Sequence, residues 1–206
     1  MRVAIVASAH APSMNDWQNI SKADFIIAAD AGAQYFRDSK RKPDIIIGDM
    51  DSMDPILLGE MSKHSEVQIH PVDKNHTDLE LCLQEAERRG ASQIQIFSWA
   101  DHRIDYCLDG LYAAAESRKP VIFFSTNCQV HILNATLSTW SSSLALGTKV
   151  SIYSLRSPLS LRSTGLKWEL NWLGSQVFRS QSNCTEKERI QIDVREGSAF
   201  LLFENP

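Results

Sequence analysis

Asp44-Ile45-Ile46-Ile47-Gly48-Asp49-Met50-Asp51-Ser52 runs three isoleucines into a glycine and then presents two aspartates two residues apart. The β-branched run reads as a short buried strand. If the backbone stays extended past Gly48, side-chain alternation points Asp49 and Asp51 to the same side. Two such carboxylates repel each other unless a cation, a proton or a basic partner sits between them. A hard divalent ion with oxygen ligands, such as Mg²⁺, fits the pair and leaves room for phosphate oxygens. The competing reading is an acidic turn with Ser52 as a cap.

On either side of this stretch, strand and helix signals alternate through the first part of the chain. Strands are expected over residues 3–7, 25–29, 44–47, 66–70, 93–97 and 121–124. Thr77-Asp78-Leu79-Glu80 is a capping box, with a hydroxyl placed for a free amide and Glu80 reaching back. Leu79, Cys82, Leu83 and Ala86 follow at helical spacing, and Gly90 closes that helix. A second stripe runs through Ile104, Cys107, Leu108, Leu111, Tyr112 and Ala115. Strands alternating with helices predict an α/β unit over residues 1–127, a largely parallel sheet with flanking helices.

Beyond residue 127 helix signals almost vanish. Short strands are expected over residues 130–133, 149–155, 166–170, 177–179, 190–194 and 199–203, with Arg195-Glu196-Gly197-Ser198 as a hairpin turn between the last two. This predicts an all-β sandwich over residues 128–206. Trp168 is expected as an aromatic of its core.

Composition narrows the class. The chain has 206 residues, 43% hydrophobic and 22% charged, with a formal net charge of -4. That mild acidity leaves no electrostatic footprint for nucleic acid. No apolar run approaches the roughly 20 residues of a membrane helix, and the N-terminal run lacks a signal-peptide core and cleavage signature. Cys82, Cys107, Cys128 and Cys184 form no C-x-x-C pair, and two of them fall at apolar positions of expected helices. These features predict a cytoplasmic protein with reduced cysteines. Several nucleotide and hydrolase motifs are missing: the P-loop, the dinucleotide fingerprint G-x-G-x-x-G, the zinc motif H-E-x-x-H and the elbow G-x-S-x-G.

What remains is a set of aspartates at the carboxyl ends of strands, where open α/β sheets bind ligands. Asp30 ends the second strand and leads into Ala31-Gly32-Ala33, a small-residue turn through which a ligand could approach backbone. Asp73-Lys74-Asn75-His76-Thr77-Asp78 joins acid, base and a helix N-terminus, where free amides favour phosphate. Arg103 and Asp105 lie just beyond the fifth strand.

The order of these pieces resembles the thiamine pyrophosphokinases over nearly the whole chain. The resemblance rests on Asp30-Ala31-Gly32-Ala33, the Pro43–Ser52 segment, Asp73 with Thr77-Asp78, and Arg103-Ile104-Asp105. In the second half it rests on Gly165-Leu166-Lys167-Trp168-Glu169-Leu170 and Ser180-Gln181-Ser182-Asn183. It implies transfer of pyrophosphate from ATP to the hydroxyl of thiamine, giving thiamine diphosphate and AMP. It also implies a homodimer with active sites between subunits. Mg²⁺ would be held by Asp49, Asp51 and Asp78, and Asp73 or a metal-site acid would take the alcohol proton. Asp30, Lys74, Thr77, Arg103 and Asp105 would handle the ATP phosphates, and Ser180, Ser182 and Asn183 the thiamine. Asp101-His102 stands where the family usually has glycines, Asn75 replaces an acid, and Tyr106 replaces a frequent histidine. These departures motivate two alternatives, a non-catalytic thiamine or nucleotide binder and a diphosphokinase with another acceptor alcohol.

Overall fold

The computed structural model describes residues 1–100 and 103–204, and the chain divides into two units, Met1–Ser125 and Thr126–Pro206. The first contains β1 (Arg2–Val6), α1 (Met14–Ile20), β2 (Phe25–Ala29), a 3-10 helix (Asp30–Phe36), β3 (Ile45–Gly48) and α2 (Pro55–Met61). It continues with β4 (Glu66–Ile69), α3 (Asp78–Arg88), β5 (Gln93–Phe97), α4 (Ile104–Ala114) and β6 (Val121–Phe124). All strand pairings in this unit are parallel, in the order β6-β5-β1-β2-β3-β4. Ile45, Ile46 and Ile47 are wholly buried, as a central strand covered on both faces requires. The chain adds strands to one side of β1 as far as β4 and then crosses to the other side with β5. The β1/β5 boundary is therefore the point where the strand order reverses.

Sequence periodicity does not reveal α1 and α2. Each spans seven residues, about two turns, too short to show a stripe. Their caps carry the signal instead. The Ser13 hydroxyl accepts from Asp16 N while Asp16 reciprocates at Ser13 N, and Asp54 caps α2 with Pro55 in its first turn.

The second unit is antiparallel throughout: β7 (Cys128–Asn134), β8 (Thr139–Ser143), β9 (Lys149–Thr164), β10 (Asn171–Gly174), β11 (Arg179–Cys184) and β12 (Arg189–Glu204). Two 16-residue strands organise it. The first half of β9 pairs with β11 and the second half with β10, while β12 pairs first with β8 and later with β7. Each long strand thus serves two layers, and Leu133, Ile152, Leu161, Ile192 and Leu201 belong to one buried cluster.

Three local expectations change. Residues 195–198 are no hairpin turn, because β12 runs straight through them and its pairing with β9 shifts register there. The extra residues are taken up as bulges that bend the strand. Gly197 permits this with φ +74°, where an added Cβ would lie 2.3 Å from Pro158 O. The strand expected over 166–170 reduces to one bridge, Leu166 to Thr185. Trp168 is 56% exposed and lies outside the core, its ring covered on one side by Lys167 Nζ at 4.9 Å.

His131 on β7 makes a pH-sensitive contact in this unit. Its Nδ1 accepts from Trp140 Nε1 at 3.1 Å, so the proton sits on Nε2, 3.2 Å from Gln129 Oε1. Phe203 stacks on the ring, and burial pushes the imidazole down to about 4. A depressed folded value stabilises above the unfolded value, near 6.5, and that stability drains as pH falls through about 4, by up to about 3 kcal/mol. Thermal melts at pH 7 and pH 5 should show a smaller drop for His131→Phe than for the unsubstituted chain. Equal drops would show that the ring is not held neutral by the fold.

Candidate active site

Asp30 follows β2 directly, and β3 ends beside it at Gly48. A Cβ on Gly48 would stand 2.8 Å from the Asp30 Cβ, so only glycine lets the two chain ends close up. Asp30 Oδ1 accepts from Met50 N at 3.1 Å, tying the loop after β3 to the end of β2. Gly32 is spent the same way inside the fold: a Cβ there would meet Val6 O at 2.3 Å. The space at Gly32 is therefore taken by the end of β1.

Asp49 and Asp51 are brought together by a turn, not by strand alternation. Met50 takes φ +63°, ending the extended backbone, and Asp51 N donates back to Asp49 Oδ1 at 3.3 Å. The outcome is still convergence. Asp30, Asp49 and Asp51 each offer one oxygen such that all three lie within 4.8 Å of one another. Asp30 joins this group where the sequence reading placed Asp78.

Asp78 belongs to the neighbouring network. Lys74 Nζ is 2.8 Å from Asp49 Oδ2 and 3.2 Å from Asp78 Oδ1, with only 14% of the Lys74 side chain exposed. The hydrogen bond from Lys74 holds the Asp49 carboxyl below its usual range, and the same bond raises Lys74. Burial pushes Asp78 up, against the pull of Lys74. Asp78 Oδ1 is buried, and the cation facing it is Lys74 Nζ. Asp73 is exposed on the same loop and does not line the cleft described below.

These acids form one end of a cleft of about 480 Å³. Thr77 caps α3 and donates to Asp109 Oδ2 at 3.3 Å, linking α3 to α4 at the cleft edge. Arg103 lines the wall, bound through Nε and Nη2 to Asp105 at 2.9 and 2.6 Å and lying 4.4 Å over the Tyr106 ring. That pairing lowers the Asp105 carboxyl to about 2. Asp105 thus stands behind Arg103 and fixes its fork, and does not itself line the cleft. Trp99 and Asp109 also line it. The sequence reading missed both, although Trp99 follows the carboxyl end of β5, the same position that singled out the aspartates.

In the second unit, β11 carries Ser180, Ser182 and Asn183. Ser182 bulges outward at φ +55°, with its N–H donating to Ser151 Oγ at 3.0 Å. Asn183 is 2% exposed and committed within the chain. Its Oδ1 accepts from Trp168 N and Cys184 N, and its Nδ2 donates to Trp168 O at 2.7 Å. It pins the backbone beneath the exposed Trp168 ring. Ser182 and Trp168 are among the exposed residues of this region.

Residues 17–123 match the family model described as thiamin pyrophosphokinase, catalytic domain. The chain belongs to the thiamin pyrophosphokinase family. Its fold is that of a thiamin pyrophosphokinase family protein from Enterococcus faecalis, at TM-score 0.83 and 19% identity over 100% of both chains. The thiamine pyrophosphokinase from Bacillus subtilis aligns at 0.79 and 19% over 100% of both, and yeast thiamin pyrophosphokinase at 0.74 and 15% over 98% of this chain and 86% of that one. At such identities the likeness speaks for the fold alone. Comparison with curated protein sequences gives no match. Of the departures from the family pattern, Asn75 is exposed on the Lys74 loop and Tyr106 packs under Arg103, while Asp101 and His102 lie outside the described residues.

Because Asn183 satisfies three backbone groups, Asn183→Ala should be a stability variant first. It leaves Trp168 N–H and C=O unpaired and should cost about 1–3 kcal/mol, read by urea unfolding. Unchanged stability would return Asn183 to a purely ligand-binding role.

Proposed function

We propose that this family member is an ATP-dependent thiamine diphosphokinase. The observation that carries the reading is the convergence of Asp30, Asp49 and Asp51 at the carboxyl ends of adjacent parallel strands. A hard, oxygen-only donor set suits Mg²⁺. Asp30, Asp49 and Asp51 would hold the ion, with Asp78 beside them. When bound, the ion supplies charge neutralisation for polyphosphate oxygens.

The chain's own residues do the positioning. Lys74 keeps Asp49 ionised and holds the α3 start against the β3 loop. Arg103, its fork fixed by Asp105, presents a cation on the cleft wall for anionic oxygens. The hydroxyl of thiamine attacks the β-phosphorus of ATP, the bond to the α-phosphate oxygen breaks, and AMP leaves. Asp73 is exposed and does not line the cleft, so the alcohol proton passes to a cleft acid, with Asp51, which Lys74 does not bond, as the candidate. Such transfers rest on alignment and electrostatics, with no covalent enzyme intermediate. The first unit carries ATP and metal and the second the acceptor, where the Ser180–Asn183 segment and the Trp168 ring meet thiamine. The homodimer implied by the resemblance belongs to the same proposal.

AMP release with thiamine, ATP and Mg²⁺ is the direct assay. Release that depends on thiamine is the expected result. No release despite thiamine binding would leave a binder, and release only with another alcohol would change the acceptor. Asp51→Asn should lower turnover at least about a hundredfold, while melting stays unchanged or rises because a repelling charge is gone. Full turnover of that variant at saturating Mg²⁺ would remove Asp51 from the metal set.

A further inference from the structure

The cleft is also lined by residues that follow β1 and β5. At the β1/β5 boundary, Ala7 N donates to Phe97 O at 3.0 Å and Ala9 N to Ser98 O at 2.9 Å, zipping the two strand ends together. Ala7, Ser8 and Ala9 line the cleft with small side chains, and Trp99 lines it next to them. The indole cannot swing. Its Nε1–H donates to Phe124 O at 2.9 Å, and the ring packs on Phe123 at 4.7 Å. The Trp99 polar atom is thus used inside the protein, and what the residue can offer the cleft is a rigid aromatic face. Ser98 sustains this with φ +58° while 1% exposed, a backbone strain of the kind that collects at ligand sites.

The place is independently a ligand position. Open parallel sheets bind ligands at the carboxyl edge where strand order reverses, here between β1 and β5. From β5 to the Asp30–Asp51 group at the ends of β2 and β3 is two to three strand steps, about 10–14 Å at the usual interstrand spacing. A nucleotide with its base at one end and its outer phosphates at the other spans that interval.

Building on the diphosphokinase reading, we propose that Trp99 is the stacking platform for the heterocyclic base of the phosphate donor, which makes it a determinant of donor specificity. The small side chains of residues 7–9 leave room for a flat ring beside the indole. The donor is selected in two parts, triphosphate at the acids and base at Trp99. Base–aromatic stacking tolerates different bases, since every base has a π-face. Trp99 alone therefore prefers a nucleoside triphosphate over bare polyphosphate and discriminates weakly among purines.

The test separates base from phosphate. With Mg²⁺ present, calorimetry measures binding of α,β-methylene-ATP and of inorganic tripolyphosphate to the full chain and to Trp99→Leu and Trp99→Phe. Leucine keeps an apolar group on Phe123 without an aromatic plane, and melting curves confirm that each variant is folded. The expected result is a preference of the unsubstituted chain for the nucleotide. Trp99→Leu should lose about tenfold in affinity for the nucleotide, with tripolyphosphate binding unchanged and most of the preference kept by Trp99→Phe. Equal nucleotide binding by Trp99→Leu overturns the proposal. So does a parallel loss for tripolyphosphate, which marks a structural role. If the unsubstituted chain binds neither phosphate ligand, the diphosphokinase reading itself falls, and the platform with it.

Discussion

Three carboxylates within 4.8 Å of one another repel, and the first unit is arranged around holding them there. At an effective dielectric of about 20, a like-charged pair at such range costs about 3–4 kcal/mol, less for the exposed Asp51. The covalent and packed structure enforces the approach. Gly48 lets the ends of β2 and β3 meet, the Met50 amide binds Asp30, and the left-handed Met50 folds Asp51 back over Asp49. Lys74 offsets part of the repulsion by bonding Asp49, yet Asp30 and Asp51 receive no such cation among the described residues. A fold that gathers negative charge and neutralises only part of it has capacity for a cation from outside.

The same constraint organises the surroundings. Lys74 reaches two carboxylates because Thr77 starts α3 where it does, and α3 begins there because its capping box satisfies the free amides. Asp105 pairs with Arg103, so that a cation and the acids line one cleft. After β5 the Trp99 ring is held by its bond to Phe124 O. The cleft thus joins the acids at β2 and β3 to an indole after β5.

Much of this was legible from residues alone. Residues 25–29, 93–97 and 121–124 form the strands that the sequence predicts, because β-branched and aromatic runs bounded by polar turns have one low-energy solution in a buried sheet. The start of α3 is equally plain from Thr77 and Glu80. Where the reading failed, tertiary context had replaced a local rule. Met50 left the extended region, so Asp49 and Asp51 converge by a turn, and Asp30 entered the group through a strand contact that spacing cannot show. Arg195–Ser198 resembled a turn because bulges and turns draw on the same residues. Trp168 resembled core because aromatics usually are, but Asn183 fixes its backbone at the surface. Family membership follows from the match over residues 17–123, whereas the roles of single residues rest on the site geometry.

Divalent-ion binding in the absence of nucleotide tests the acid cluster most directly. Mn²⁺ titrated into the protein and followed by electron paramagnetic resonance counts bound ions without relying on turnover. Asp30→Asn keeps the oxygen that accepts from Met50 N but removes one charge from the group. The account predicts saturable binding of Mn²⁺ by the unsubstituted chain and a clear loss of affinity in Asp30→Asn, with unchanged melting. Saturable binding that is indifferent to Asp30→Asn would contradict it.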